Sequence, residues 1–379
     1  MPEKKYKIIF LTGTRADFGK LKALMLRLQA DDNFEVHIFV TGMHMLSKYG
    51  YTCTEVEVVG FKNIYKYINQ SGNDSMDQIL AKTILGLSDY VKEISPDMLI
   101  VHGDRVEALA GASVGALNNV LVGHIEGGEV SGTVDELIRH AVTKLSHIHF
   151  VANKSAKTRI SQLGELQESI HIIGSPDIDV MNSPNLPGIE DVRKRYDFDF
   201  KEYSILMFHP VTTELDKLKA HIGVLVDEII KSGRNYVVIY PNNDHGSDII
   251  LQEYSRFERL PQVRVYPSMR FEYFLTLLKN ASLIIGNSSA GVREAPHFGV
   301  PAINLGSRQM NRVKCSLVLN VEIESSAITA AIANCTNMQR VSHALFGGGN
   351  SADLFYEIIK HSSFWMQNTQ KHFVDRDMK

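Results

Sequence analysis

Thiols are scarce in this chain. Cys53, Cys315 and Cys335 are its three cysteines, and no Cys-x-x-Cys pair occurs. That rules out a disulfide framework and a zinc-finger signature, and it suits a reducing, cytoplasmic setting. Basic blocks are also missing. Forty Lys and Arg against 43 Asp and Glu leave a net charge of -3, which argues against a nucleic-acid partner. An anionic ligand must then be held by a few placed groups. No apolar run approaches the ~20 residues of a membrane span. The opening MPEKKYKIIFLTG passes from a short basic stretch directly into a strand-like run, so neither a signal peptide nor a membrane partner is expected. There is no G-x-G-x-x-G, so a nicotinamide route has no support and no cofactor is expected. Internal repeats and low-complexity tracts are lacking too.

What is present is ordinary globular composition: 379 residues, 44% hydrophobic and 22% charged, enough for two cores. Apolar runs at Lys7–Leu11, Val36–Val40, Met98–Val101 and Val120–Val122, then near His149–Ala152 and Ile170–Ile173, read as strands. Helical spacing separates them at Leu21, Leu24, Met25 and Leu28, over Asp74–Glu93, and in the Ala/Gly/Val-rich run Val106–Leu117. Periodicity lapses from Gly174 to Gly188 and the alternation then resumes, with strands at Ser204–Phe208, Tyr236–Tyr240, Val263–Val265, Leu283–Ile285 and Ala302–Leu305. The pattern predicts an α/β chain of two Rossmann-like doubly wound domains with a cleft between them. The expected parts are an N-terminal domain over 1–175, a linker over 176–188, a nucleotide-binding domain over 189–360 and a helical tail over 361–379.

Ligands of such sheets lie beyond the carboxyl ends of strands, and the polar clusters fall there. Val122–His140, VGHIEGGEVSGTVDELIRH, gathers His124, Glu126 and Glu129 among glycines and then enters a helix. Thr133 and Glu136 have capping-box spacing, and Asp135 and Arg139, at i and i+4, share a helix face. Gly13-Thr-Arg-Ala-Asp-Phe-Gly19-Lys20 fails as a P-loop: five residues separate its glycines where four are needed, and Leu21 replaces the magnesium-binding hydroxyl. It remains a glycine loop at a helix start, with Arg15 and Lys20 suited to an anion. Gly286-Asn-Ser288-Ser289 follows a strand and predicts a helix start whose dipole and hydroxyls favour a diphosphate. Glu294 there suits a ribose diol, with Arg293 and Arg308 as counter-charges. His209 ends a strand before Pro210, and the Asn242-Asn243-Asp244 turn ends another. His147 and His149, at i and i+2, lack further clustered ligands, so no metal is expected.

Taken together, Gly13-Thr-Arg-Ala-Asp-Phe-Gly, His102-Gly-Asp-Arg105, His124-Ile-Glu-Gly-Gly-Glu129, Gly132-Thr-Val-Asp135 with Ile138-Arg-His140, Phe208-His-Pro210 and Gly286-Asn-Ser-Ser289 closely resemble the hydrolysing UDP-N-acetylglucosamine 2-epimerases. The likeness is greatest to the bacterial sialic-acid-pathway enzymes, and it runs in order over about the first three hundred residues. It implies a glycosyltransferase-B-like fold, conversion of UDP-N-acetylglucosamine to N-acetylmannosamine and UDP, and a homo-oligomer, dimer or tetramer. The GEVSGTVD pattern is what points to the hydrolysing branch. Asp104, Glu126 and Asp135 fall on the family's active-site carboxylates. Arg15, Arg105, His209, Asn242, Ser288, Ser289, Glu294 and Arg308 fall on positions expected to contact UDP. Lys20 and Arg139 join them as cations for the UDP-sugar, and His209 is expected to hold or protonate the leaving phosphate oxygen. After Arg312 the run Val313-Lys-Cys-Ser316 matches no family pattern. Three alternatives stay open: a 2,4-diacetamido-sugar nucleotide as substrate, a glycosyltransferase on the same fold, and a silent nucleotide-sugar sensor.

Overall fold

A computed structural model describes residues 5–72, 74–131, 134–242, 244–310, 312–372 and 374–375. Gly132, Thr133 and Asn243 lie outside the described residues, and so does the capping box expected at Thr133. The chain forms two compact units. The first comprises residues 1–129, 135–182 and 346–379, and the second comprises 130–134 and 183–345.

In the first unit seven strands, β1 (Tyr6–Thr12), β2 (Phe34–Val40), β3 (Asn63–Lys66), β4 (Met98–His102), β5 (Leu121–Ile125), β6 (Ile148–Val151) and β7 (Ile170–Ile172), line up as β3-β2-β1-β4-β5-β6-β7. Every pairing is parallel. The central strands are covered on both faces, which explains their unbroken apolar runs. The Val106–Leu117 helix packs closely because it is rich in small residues: a Cβ at Gly111 would lie 2.5 Å from Val101 Cγ1. The core joins β1, β2 and β4 to Leu21, Leu24, Met25 and Leu28 of the Arg15–Gln29 helix, and also takes in Phe355, Ile359 and Phe364 from the chain's end.

In the second unit β8 (Ser204–Met207), β9 (Tyr236–Ile239), β10 (Val263–Tyr266), β11 (Ile284–Gly286), β12 (Ala302–Leu305) and β13 (Val318–Val321) order as β10-β9-β8-β11-β12-β13. These pairings are parallel as well. Among the described residues no helix is long and apolar enough to cross a membrane.

The sequence-based boundaries need three corrections. Residues 176–188 are not all linker, because Pro176–Met181 is a helix of the first unit with Ile178 and Met181 buried. Proline at the first helical position starts a helix as readily as it ends one, and Asp177 and Asp179 suit its first turn. The chain re-enters the first unit at Phe346, so the Ser351–Ile359 helix does not belong to the second. Among the described residues of the tail the helical element is a short 3-10 turn, Ser362–Met366, and no long helix is present. The strands β3 and β13, both four-residue edge strands with partly exposed faces, are too short to stand out in the sequence.

Each sheet changes winding direction once. In the first unit the switch lies between β1 and β4, and in the second between β8 and β11. Those are the two places where the connections diverge and leave a crevice at the carboxyl edge.

Candidate active site

At the first switch point the end of β4 delivers His102, Gly103 and Asp104, and the end of β5 delivers Glu126. Glu126 takes a left-handed conformation, φ 68°, rare for a residue with a Cβ. Its backbone N–H donates to the Phe150 carbonyl at 3.2 Å, and the Gly103 N–H donates to the Ile125 carbonyl at 2.9 Å. The two strand ends are thereby pinned side by side.

His102 sits between two carboxylates. Its Nε2 lies 2.8 Å from Glu126 Oε2 and its Nδ1 3.2 Å from Asp17 Oδ1. Lys20 Nζ approaches the same Glu126 oxygen at 3.5 Å and Asp177 Oδ2 at 3.7 Å. Burial favours a neutral ring on His102, but the Glu126 charge and the hydrogen bonds to Asp17 and Glu126 outweigh it and raise the pKa to about 9. Burial also pushes the Asp17 carboxyl up, yet the hydrogen bond and charge of His102, with the charge of Arg105, hold it below its usual range.

Arg139 organises the other carboxylates. It is 1% exposed, its Nη2 pairs with Asp104 Oδ2, and its Nη1 donates to the Glu129 carbonyl at 3.2 Å. Burial opposes its charge, but Asp104, Glu126, Glu129 and Asp135 all act on the guanidinium and raise its pKa. Asp104 on the β4 turn thus contacts the buried cation directly, and the charges of Glu126 and Glu129 on the β5 loop and of Asp135 at the start of the Val134–Leu145 helix act on it. His124 supports the loop from beneath: buried and pushed down to about 3 by desolvation, it meets the Gly103 carbonyl at 2.8 Å through Nε2.

Lys20 and Arg139 were read as cations for a UDP-sugar. Both are buried against carboxylates of their own unit, where a helix-borne cation beneath a cluster of acids is stabilised by neutralising them. Arg15 is engaged too, donating to Glu55 Oε1 at 2.7 Å, and Arg105 Nε reaches Glu107 Oε2 at 3.3 Å.

At the second switch point β8 leads into His209 and β11 into Asn287. Asn287 grips the histidine's backbone twice, accepting from its N–H at 2.6 Å and donating to its carbonyl at 2.8 Å. Gly286 makes this close approach possible: at φ 137° a Cβ there would lie 1.9 Å from the Met207 carbonyl oxygen. The Asn242 backbone N–H donates to His209 Nδ1 at 3.0 Å. A backbone N–H is an obligate donor, so Nδ1 carries a lone pair and the ring proton sits on Nε2. With Nδ1 accepting, the His209 ring donates through Nε2–H.

Ser288 accepts from the Ala290 N–H at 3.3 Å, but it caps only the 3-10 turn Ser289–Gly291, and the next helix is the single turn Glu294–His297. The expected helix-dipole contribution is correspondingly small, because Gly299 in a left-handed conformation stops the helix. Arg308 Nη1 donates to the Asn287 carbonyl at 3.2 Å, and Arg293 and Glu294 are buried alongside.

In the first unit Asp104 pairs with Arg139, and the charges of Glu126 and Asp135 act on the same guanidinium; in the second, His209 meets Asn242 and Asn287, and Arg308 reaches the Asn287 carbonyl beside Ser288. Sequence reasoning did not single out Asp17, His102, Asp177 or Asn287. His102 was visible as the last residue of a central strand. Asp177 was hidden by being read as linker.

His147 and His149, weighed as metal ligands, are taken up elsewhere. His147 Nδ1 accepts from the Val122 N–H at 3.0 Å, and His149 Nε2 lies 3.2 Å from Glu165 Oε2.

Two parallel doubly wound units, each with its polar residues at a switch point, define a chain of the glycosyltransferase-B-like class. Comparison with known proteins narrows this. The UDP-N-acetylglucosamine 2-epimerase family matches residues 26–360, and the chain belongs to that family. A UDP-N-acetylglucosamine 2-epimerase of Neisseria meningitidis serogroup B is 46% identical over 98% of this chain and 100% of its own length. A UDP-N,N'-diacetylbacillosamine 2-epimerase (hydrolyzing) of Legionella pneumophila is 32% identical over 93% of this chain and 95% of its own. Among solved structures, the Methanocaldococcus jannaschii UDP-GlcNAc 2-epimerase in complex with UDP-GlcNAc and UDP shares the fold, with a TM-score of 0.80 at 22% identity over 93% of this chain and 99% of that one.

Proposed function

We propose that this chain is a hydrolysing UDP-N-acetylglucosamine 2-epimerase, converting UDP-N-acetylglucosamine and water to N-acetylmannosamine and UDP, with the product supplied to sialic acid synthesis. The observation that carries the reading is the pair of cation-bound carboxylates at neighbouring strand ends, Asp104 on Arg139 and Glu126 on His102 and Lys20. C2 of the sugar is not next to a carbonyl, so its proton cannot be removed by simple enolisation. Elimination offers a route. A carboxylate takes the C2 proton, the C2–H electron pair becomes the C1=C2 bond of 2-acetamidoglucal, and the C1–O pair leaves with the β-phosphate of UDP. Water then adds, hydroxyl to C1 and a proton to C2 on the opposite face. Two proton transfers at carbon and one at water call for several acid–base groups, and Asp104, Glu126 and Asp135 are assigned to them. His209 Nε2–H is assigned to the departing phosphate as a neutral donor. Arg15, Arg105, Asn242, Ser288, Ser289, Glu294 and Arg308 are assigned to the nucleotide.

A proton NMR time course in deuterated water tests this. The expected result is free UDP and N-acetylmannosamine in equal amounts, with deuterium at C2. Recovery of only nucleotide-linked sugar would exclude hydrolysis. A second reading, the same chemistry on a UDP-2,4-diacetamido sugar, is favoured by the 32% likeness to the Legionella enzyme. A two-substrate competition assay separates the two.

A further inference from the structure

We propose that His102 is a positioning residue for Glu126, buried as an imidazolium that spans Asp17 and Glu126, aims the Glu126 carboxylate and keeps it ionised, ready to act as a base, in the resting site. The inference rests on the functional reading above and concerns a residue which that reading does not use.

The argument is geometric. Both ring nitrogens of His102 face carboxylate oxygens, Asp17 Oδ1 at 3.2 Å and Glu126 Oε2 at 2.8 Å. The side chain is 6% exposed, so water does not relieve a mismatch. An ionised carboxylate only accepts hydrogen bonds, and a neutral imidazole has one N–H. A neutral ring would therefore set a lone pair against one of the two acids. The doubly protonated ring satisfies both, and Lys20 approaches the same Glu126 oxygen from the Arg15–Gln29 helix.

The surrounding charges are consistent with this. Asp177 balances Lys20 from the Pro176–Met181 helix. Arg105 stabilises the Asp17 charge, and Arg139 draws on the Glu126 charge from the Val134–Leu145 helix. His124, whose charge would act on His102, and His44, whose charge would act on Asp17, are both held neutral by burial and add no competing charge. Asp104, by contrast, is a quarter exposed and has Arg139 as its cation. Of the two acids, Glu126 is the more deeply buried and the one braced by His102 and Lys20, and Asp104 has the greater solvent access.

The test has two arms. In 15N-labelled wild-type protein at pH 7.5, both His102 ring nitrogens are expected at imidazolium positions; a neutral ring overturns the proposal whatever the enzyme turns over. In His102→Gln the acid limb of kcat/KM is expected to move up by about one pH unit or more, the size of shift that loss of a nearby opposite charge produces, with KM and UDP affinity held. A uniform fall in rate with an unmoved limb would mean that the ring is only structural. If His102→Gln does not fold, Asp17→Asn takes its place, because removing the outer anion weakens the imidazolium and shifts the limb in the same direction by less. If wild-type protein releases no UDP from either sugar nucleotide, the functional reading fails, and the ring measurement still decides the charge of His102.

Discussion

Replacing Arg139 by methionine separates two roles that look alike in sequence. A cation on the Val134–Leu145 helix either clamps the diphosphate or holds the catalytic acids in place. The side chain is 1% exposed, pairs with Asp104 and reaches the Glu129 carbonyl at 3.2 Å, so the second role is expected. Methionine occupies most of the arginine's stem, and packing loss is small. What is lost is the charge. Removing one partner of a buried ion pair costs about 3–5 kcal/mol. Asp104 keeps a quarter of its surface in solvent, so the lower end, about 3 kcal/mol, is appropriate. Urea unfolding, followed by a probe in the first unit, should show that loss. Turnover should fall about a hundredfold, the lower range for a misplaced acid–base group, with UDP affinity unchanged by calorimetry. Retained stability together with weakened UDP binding would refute the assignment and return Arg139 to the phosphate.

Other expectations follow from the same geometry. Asp104→Asn and Glu126→Gln should each cut kcat by about 10²–10⁴ with UDP affinity kept, read by steady-state kinetics beside calorimetry. Asn287→Ala leaves two buried backbone groups of His209 without their partner and should cost about 1–3 kcal/mol while weakening UDP binding. Stability should fall at both ends of the pH range. His124 is depressed from 6.5 to about 3, so its contribution is full above pH 6.5 and is lost as pH drops towards 3. His102 is raised from 6.5 to about 9, so its contribution is full below pH 6.5 and is lost as pH climbs through 9. Urea melts across pH should show both slopes, and His124→Asn should flatten the acid one.

The strand ends were legible because a doubly wound sheet concentrates function at its carboxyl edge, and apolar runs ending in His102, Glu126 or His209 mark that edge. Pairing was not. That Lys20 turns inward to Glu126 and Asp177 depends on a contact across 106 residues in one case and on the Pro176–Met181 helix in the other. The 176–188 stretch looked like a linker because proline, glycine and asparagine break periodicity whether they start a helix or end one. The return of Phe346–Ile359 to the first unit is a tertiary event with no local signal. The helix start expected at Ser288 failed for a related reason: the cap residue is present, but the helix behind it lasts one turn.

The left-handed Glu126 was equally hidden, and it permits a direct measurement of strain at the site. Its flanking strand ends are pinned by the Gly103–Ile125 and Glu126–Phe150 hydrogen bonds, so the backbone cannot relax to an extended conformation without breaking the ladder. A left-handed conformation costs an ordinary residue about 1–2 kcal/mol, and glycine escapes that cost. Glu126→Ala and Glu126→Gly both delete the carboxylate and its contacts to His102 and Lys20, so the difference between them isolates the backbone. The glycine variant should be the more stable of the two by about 1 kcal/mol, reversing the usual order in which alanine is favoured. Both should be inactive. If alanine is the more stable, Glu126 is not held in the left-handed region in solution, and the rigid aim of its carboxylate at His102 falls with it.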